Sequence, residues 1–147
     1  MESSFKRPES VLVVVYTAAG DVLVMRRSQP ADFWQSVTGS LNWDETDPLQ
    51  TARRELFEET GLNDVEVVRC HVRNRFPIVP AWRHRYAPTA RENTEYVFRV
   101  ALPVRRSIVL NPEEHTEYAW LTRHEAAARV SSHTNQTAIL QWVCDES

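Results

Sequence analysis

A helix signal in residues 48–60 constrains what the rest of the chain can fold into. Leu49, Ala52 and Leu56 recur at helical spacing and form one apolar stripe, which must pack against another layer of structure. Three residues mark the boundaries of this helix: Asp47 as N-cap, Pro48 at the first helical position and Gly61 just after the last turn. The sequence therefore predicts a well-bounded amphipathic helix.

The segments on either side of this helix have the patterns of β-strands. Strands are predicted at residues 11–16, 22–27, 34–38, 65–72, 95–102 and 118–121, with a turn at 18–21 and an irregular arm at 73–91. Two more helices are predicted at 123–130 and 135–143, the second with Ile139, Leu140 and Val143 as its apolar stripe. This order predicts an α+β fold, an α/β/α sandwich with a mixed β-sheet between helices.

Length and composition limit the organisation and the setting of the chain. The 147 residues, 42% of them apolar, suit a single domain over residues 1–147. Cys70 and Cys144 are too few for a disulfide framework, which favours a cytoplasmic protein. The longest apolar run, residues 11–16, is far shorter than the roughly 20 residues of a membrane span, and residues 1–10 are too polar for a signal peptide. We therefore expect neither export nor membrane insertion.

The charged residues favour a small anionic ligand over a nucleic acid polymer. The formal net charge of −3 lacks the basic surplus that is typical of nucleic-acid-binding proteins. All the basic residues except Lys6 are arginines, whose planar fork suits bidentate contacts with phosphate. They cluster at four places, which are Lys6-Arg7, Arg26-Arg27, Arg73 with Arg75, and Arg83-His84-Arg85. These clusters either converge on an anion or reflect only a preference for arginine in the composition.

Three glutamates crowd the end of the predicted helix. Glu55, Glu58 and Glu59 are spaced i, i+3 and i+4, near the C-terminus, where the helix dipole disfavours anions. A divalent cation would relieve this repulsion, because Mg²⁺ prefers carboxylate oxygens. Arg54 is placed to orient one of these carboxylates. On these residues alone, the face suits a solvated acidic surface as well as it suits a metal site.

A longer pattern surrounds the glutamates. Gly39, Glu45 and the run Arg54-Glu55-Leu56-Phe57-Glu58-Glu59-Thr60-Gly61-Leu62 resemble the box of the Nudix hydrolases, G-x5-E-x7-R-E-U-x-E-E-x-G-U, in which U is apolar. The resemblance implies a Nudix fold, a divalent-metal site on the box helix, and hydrolysis of a diphosphate linked to another group.

The chain departs from this pattern at one place. Eight residues, 46–53, separate Glu45 from Arg54 where the family has seven. A loop or first turn accommodates an insertion more easily than a helix interior, so we expect the Asp47-Pro48 turn to absorb it. The three glutamates should then stay in register, whereas the geometry around Glu45 is open.

Segments outside the box resemble the bacterial branch of the family that acts on dihydroneopterin triphosphate. They are Lys6-Arg7-Pro8, Phe33 to Ser40, Arg83 to Pro88 and Asn93-Thr94-Glu95. The resemblance implies removal of pyrophosphate from this pterin triphosphate in folate biosynthesis, leaving the monophosphate. It also implies Mg²⁺ as cofactor, with Mn²⁺ as a substitute, and a small-molecule partner in place of a membrane or a nucleic acid.

The same resemblance implies roles for individual residues. The implied metal ligands are Glu55, Glu59 and Glu114, with Glu58 as a further candidate. These four residues and Arg54 are the expected catalytic residues, and either Glu58 or Glu114 would take the proton of the attacking water. The expected substrate contacts are Lys6, Arg27, Trp34, Thr38, Val79, Pro80, Ala81, Trp82, Arg83, Arg85 and Thr134.

Several alternatives remain open on the sequence. Another Nudix substrate, most plausibly dATP or a related purine nucleotide, shares the flat heterocycle and the triphosphate. A catalytically silent Nudix-like ligand sensor is a second alternative, which the inserted residue allows and the intact glutamates oppose. Trp34 suits the core as well as a pocket wall that stacks on a pterin. His84 and His115 are expected to be structural or exposed, because the proposed chemistry needs no imidazole.

Overall fold

A computed structural model describes residues 5–144 of the chain. These residues form seven strands, three α-helices and one 3₁₀ helix. In chain order the elements are β1 (Glu9–Thr17), β2 (Val22–Arg27), β3 (Trp34–Gln35), β4 (Val37–Ser40), α1 (Pro48–Thr60), β5 (Val68–Pro77), the 3₁₀ helix (Pro80–Arg85), β6 (Glu92–Leu102), β7 (His115–Leu121), α2 (Arg123–Arg129) and α3 (His133–Trp142).

The strands form one mixed sheet between two helical layers. The order is β3-β2-β1-β6-β5, with β4 also paired to β1 and β7 to β2. Strands β1 and β6 are parallel along their whole length, and the other pairs are antiparallel. Alternate residues of β1 serve opposite cores: Val11 and Val13 pack with Leu56 of α1, whereas Leu12 and Val14 pack with Ile139 of α3. The predicted α+β sandwich is confirmed.

Strand β1 changes partner along its length, and this opens a cleft. Its residues 10–13 pair with β4, whereas β2 joins it at Tyr16. Strands β3 and β4 are adjacent in sequence but pair with different neighbours, so the sheet splits between them. Gln35 and Thr38, one from each side of the split, both line the cleft.

The prediction of one strand over residues 34–38 is wrong at Ser36. The Ser36 backbone N–H donates to Asn135 Oδ1 at 2.8 Å, and its hydroxyl accepts from Asn135 Nδ2 at 2.9 Å. This buried side-chain pair links the segment to α3 and replaces a sheet partner at that position. A contact between residues so far apart in sequence leaves no local signal.

The prediction for residues 65–91 is also wrong in part. The strand runs over Val68–Pro77, and the predicted irregular arm contains the end of this strand and the 3₁₀ helix Pro80–Arg85. Strand β5 is an edge strand, and its outward-facing arginines, Arg73 and Arg75, are the charged residues expected at a sheet edge. These arginines obscured the strand pattern.

The predicted apolar stripe of the last helix is wrong at Leu140. In α3 this side chain is exposed, and Ala138 is buried in the core instead.

Helix α1 begins and ends where the sequence predicts. Asp47 caps it by accepting a hydrogen bond from the Leu49 N–H at 3.0 Å, Pro48 occupies the first helical position, and Gly61 ends it in the left-handed conformation. The extra residue of the box therefore lies before the helix, and Glu55 and Glu59 keep a common buried face.

Across residues 5–144, none of the helices has both the length and the apolar character that a membrane crossing demands.

Candidate active site

Two glutamates of α1 carry the acidic part of the site: Glu55 lines the cleft, whereas Glu59 is not among the residues that line it. Glu55 is 8% exposed and Glu59 is fully buried. The Glu55 carboxylate lies directly against the backbone of Gly39 in β4, and a β-carbon at this position would overlap it. Glycine is therefore required at residue 39 by the close approach of a carboxylate, while its own backbone is not left-handed.

Glu59 is a buried carboxylate without adequate protein partners. Among the described residues, neither of its oxygens has a hydrogen-bond partner in good geometry, although the Thr38 backbone N–H favours the charged form of this carboxylate. Burial, followed by the neighbouring Glu55 and Glu114 carboxylates, raises the pKa of Glu59 well above its ordinary value. Burial also raises the pKa of Glu55. Buried unsatisfied acceptors are uncommon in native proteins, so this one indicates a missing ligand.

A second segment supplies the opposite side of this acidic group. Ligand atoms of Glu59, Glu114 and His115 all lie within 4.8 Å of one another, with Glu114 exposed and His115 buried. His115 Nε2 is 3.9 Å from Glu59 Oε1 and 3.1 Å from Gln35 Nε2. Burial and the charge of Arg27 lower the pKa of His115 to about 4. The imidazole is therefore neutral at pH 7, and it lies beside the acidic group.

Arg54 connects the loop and helix parts of the box. Its guanidinium donates to Glu45 at 2.9 Å, to Glu55 at 2.7 Å and to the Ser40 carbonyl at 3.1 Å. Glu58 is exposed, lies 3.3 Å from Arg54, and is not among the residues that line the cleft. Glu45 thus keeps its contact with Arg54 despite the inserted residue, and Arg54 orients the Glu55 carboxylate.

The donor set of this region fits a hard divalent cation. Glu59 and Glu114 offer carboxylate oxygens within 4.8 Å of each other, and the Glu55 carboxylate interacts with that of Glu59. The fully buried Glu59 carboxylate, which lacks a well-formed hydrogen bond, is the strongest single indication. A bound cation would compensate the charge that the protein leaves buried, and the exposed Glu114 leaves one side of the site open to the cleft.

Cations face this acidic group across the cleft. Lys6, Arg27 and Arg85 all line it. Desolvation, then the positive charges of Arg85 and Arg27, lowers the pKa of Lys6, and desolvation and Arg85 lower that of Arg27. The mutual repulsion of these three basic side chains would be relieved by a multiply charged anion.

Of the two tryptophans expected to contact the substrate, Trp82 lies beside the cations and Trp34 does not. Trp34 lies on the other face of the sheet, where it packs into the α2–α3 core and under the Arg129 guanidinium at 5.0 Å. Strand alternation explains the error, because its neighbour Gln35 then faces the site. Phe33 and Trp82 line the cleft in its place, with ring centroids 5.8 Å apart.

Most of the expected substrate contacts are brought together, and some are not. The cleft-lining residues among them are Lys6, Arg27, Thr38, Val79, Ala81, Trp82, Arg85 and Thr134. Pro80 and Arg83, like Trp34, are not among the residues that line it. Pro80 begins the 3₁₀ helix, whose tight turn sends successive side chains in different directions, so that Ala81, Trp82 and Arg85 line the cleft and Arg83 does not.

Sequence reasoning missed part of the site. Phe33 is not among the expected contacts, and its position next to Trp34 in the chain was the available signal. The buried polar residues Ser10, Asn93 and Glu95, from β1 and β6, also line the cleft. Asn93 and Glu95 are two residues apart on one strand face, but nothing local in the sequence shows that this face meets the site.

Comparisons with known proteins agree with this geometry. The family model described as "NUDIX domain" matches residues 6–143. Dihydroneopterin triphosphate diphosphatase of Escherichia coli K12 is 44% identical over 144 residues, which cover 95% of this chain and 94% of that protein. The Haemophilus influenzae protein of the same name is 35% identical, with coverage of 95% and 89%.

A solved structure is similar over nearly the whole chain. The structure of the E. coli dihydroneopterin triphosphate pyrophosphohydrolase superposes with a TM-score of 0.88 at 42% identity, covering 96% of this chain and 98% of that one.

Proposed function

The chain belongs to the NUDIX family of hydrolases, and on this premise we propose that it hydrolyses dihydroneopterin triphosphate to dihydroneopterin monophosphate and pyrophosphate. One observation carries the proposal: two carboxylates, Glu55 and Glu114, line the same cleft as the cationic group Lys6, Arg27 and Arg85. The buried Glu59 carboxylate interacts with Glu55 and lies within 4.8 Å of Glu114. The carboxylates suit a divalent cation and the cationic group suits a polyphosphate. The relatives at 44% and 35% identity bear the name of this activity.

The reaction forms one P–O bond and breaks another. A water molecule attacks a phosphorus of the α–β anhydride, the bridging P–O bond breaks, and pyrophosphate leaves. A carboxylate must accept the proton of the attacking water, and Glu114 is the candidate that lines the cleft. When bound, Mg²⁺ supplies charge neutralisation at the phosphates and a lowered pKa of the attacking water, and Mn²⁺ is the expected substitute.

The residues of the chain have separate tasks in this scheme. Glu55, Glu59 and Glu114 would hold the cation, with Glu58 as a further candidate ligand. Arg54 acts as a positioning residue, because its bonds to Glu45 and Glu55 fix the Glu55 carboxylate.

The cations of the cleft act on the other reactant. Lys6, Arg27 and Arg85 bind the triphosphate and stabilise the charge that develops on the departing pyrophosphate. Both described cysteines are free, with Cys70 buried and Cys144 exposed, which supports a cytoplasmic setting for this chemistry.

A substrate panel with purified protein tests the proposal. Dihydroneopterin triphosphate, dATP and dGTP are compared with Mg²⁺, with Mn²⁺ and without metal, and pyrophosphate is measured separately from orthophosphate. We expect metal-dependent pyrophosphate release with the highest kcat/KM for the pterin. A higher kcat/KM for dATP would identify a nucleotide pyrophosphohydrolase instead, and no turnover of any substrate would favour a ligand sensor.

A further inference from the structure

The wall of the cleft formed by β1 and β6 carries buried polar groups that the metal and the phosphates do not use. Ser10, Asn93 and Glu95 line it, and the last two are 4% and 6% exposed. Glu95 lies opposite Ser10 in the parallel β1–β6 register, and Asn93 precedes it by two residues on the same strand face. The three side chains therefore form one polar patch.

This patch offers hydrogen-bond acceptors to a ligand in the cleft. Glu95 Oε1 accepts from Asn74 Nδ2 at 3.2 Å, and the Thr134 hydroxyl also bonds to this carboxylate. Asn93 Nδ2 donates to Ser10 Oγ at 2.8 Å, while Asn93 Oδ1 is buried and has no donor among the described residues. A carboxylate accepts about four hydrogen bonds, so Glu95 retains capacity.

Burial raises the pKa of Glu95, while the bonds from Thr134 and Asn74 favour its charged form. A carboxylate and an orphaned amide oxygen, both nearly excluded from solvent, need a ligand with adjacent N–H donors.

We propose that Glu95 and Asn93 recognise the 2-amino-4-oxopyrimidine edge of the substrate's heterocycle, an inference that rests on the proposed function. This edge presents an exocyclic amino group beside a ring N–H. The ring N–H and one amino hydrogen match the two oxygens of the Glu95 carboxylate, and the second amino hydrogen is left for Asn93 Oδ1. Pterins and guanine share it. Glu95 is then the residue that determines specificity for the ring, separate from the residues that bind the triphosphate.

The same geometry disfavours adenine. Its corresponding edge presents a ring nitrogen lone pair, which would face the Glu95 carboxylate without a proton between them. An acceptor opposed by an acceptor leaves both buried groups unsatisfied, and this is the kind of mismatch that discriminates strongly between similar ligands. The assignment therefore predicts that dATP binds more weakly than the pterin.

Two fragments of the substrate test the assignment. Dihydroneopterin carries the ring without phosphates, and tripolyphosphate with Mg²⁺ carries the phosphates without the ring. Binding of each is measured by titration calorimetry to the wild type, to Glu95→Gln and to Glu92→Gln, an exposed glutamate on the same strand that serves as the matched control. The KM and kcat for dihydroneopterin triphosphate are measured on the same preparations.

We expect Glu95→Gln to weaken dihydroneopterin binding by about ten- to a hundredfold, because a hydrogen bond to a charged group is lost and an amide N–H opposes a ligand donor. The KM of Glu95→Gln for dihydroneopterin triphosphate should rise as ring binding weakens, whereas its affinity for tripolyphosphate should equal that of the wild type. Glu92→Gln should match the wild type in every measurement. GTP should bind more tightly than ATP to the wild type, and this preference should vanish in Glu95→Gln.

Unchanged pterin binding in Glu95→Gln, or an equal loss of tripolyphosphate binding, would overturn the inference. The outcome is independent of folding, because a misfolded fraction lowers binding of both fragments together. If the wild type fails to hydrolyse dihydroneopterin triphosphate, the proposed function fails, but the calorimetry still decides whether Glu95 binds the ring.

Discussion

Glu59 combines complete burial with two oxygens that lack adequate donors, an arrangement that destabilises a metal-free protein. Glu59→Gln removes the charge and keeps the shape. We expect kcat/KM to fall by at least the ~10–100-fold typical of disturbed metal sites, while the metal-free Tm stays level or rises. Glu66→Gln, at an exposed glutamate, is the control. Near-normal turnover of Glu59→Gln at ordinary Mg²⁺ concentrations would contradict the metal assignment.

Gly39 makes room for a functional carboxylate, and its replacement should affect the site without unfolding the chain. In Gly39→Ala the new methyl group displaces the Glu55 carboxylate, the flexible end of a side chain. Because the Gly39 backbone is not left-handed, alanine costs no backbone strain there. We expect at least about a tenfold rise in the Mg²⁺ concentration for half-maximal activity, by analogy with other disturbed ligands, with little change in Tm. A wild-type metal dependence would refute this reading of the contact.

Two tryptophans on opposite faces of the sheet should respond differently to truncation. Trp34→Ala removes packing from the α2–α3 core and should lower the Tm while leaving KM unchanged. Trp34 is only partly buried, so its loss should cost less than the roughly 3–5 kcal/mol of a fully buried tryptophan. Trp82→Ala should instead raise KM, because this ring lies beside Arg27 and Phe33 in the cleft. Thermal scans and steady-state kinetics on both variants separate the two roles, and a raised KM in Trp34→Ala would argue against them.

Local spacing was sufficient to predict the part of the site that lies on one helix. Glu59 follows Glu55 by four residues, and the two side chains share a buried face of the helix. Arg54 directly precedes Glu55 and donates a hydrogen bond to its carboxylate. The other residues come from separate segments. His115 lies beside Glu59 only because β7 pairs with β2, and strand alternation assigns Phe33 and Gln35, in place of Trp34, to the cleft.

At the level of single elements, α1 owes its defined start to Asp47. This carboxylate bonds Arg69 at 2.6 Å and caps the helix, and these contacts lower its pKa from 3.8 to about 2. A lower pKa in the folded state means that the stabilisation is present above about pH 3.8 and is lost as the pH falls towards 2. We expect Asp47→Asn to lower the urea midpoint modestly at pH 6, and the difference from wild type to vanish near pH 2. A difference that persists unchanged at pH 2 would exclude this origin.

Elements with strong local signals were predicted well, and those that depend on distant partners were not. Helix α1 carries its own caps, so its limits are correct to the residue. Strand β5 is held by pairing with β6, and its charged edge hid the pattern. The break at Ser36 depends on Asn135, almost a hundred residues away in sequence. The limits of β5 and the break at Ser36 are set by contacts with distant parts of the chain, and a local stretch of sequence does not show those contacts.

The whole molecule should respond to the cation that its acidic group is proposed to hold. Mg²⁺ that binds the folded chain at about 100 times its Kd stabilises by about 2.7 kcal/mol. For a chain of this length we expect a Tm increase of roughly 5–10 °C. Scanning calorimetry with and without Mg²⁺ measures it, and Glu59→Gln should reduce the increase strongly. An equal increase in both proteins would show that the ion acts elsewhere.

The carboxylates of the proposed metal site come from two segments that are distant along the chain: Glu55 and Glu59 end α1, and Glu114 directly precedes β7. An ion bound by both would join them as a removable cross-link and would close a long loop that contains β5 and β6. Such closure restricts the partly opened chain, much as a disulfide restricts an unfolded one. Hydrogen exchange in β5 and β6 should therefore slow when Mg²⁺ is added, and the proposed cofactor would then also set how cooperatively the two halves of the sheet unfold.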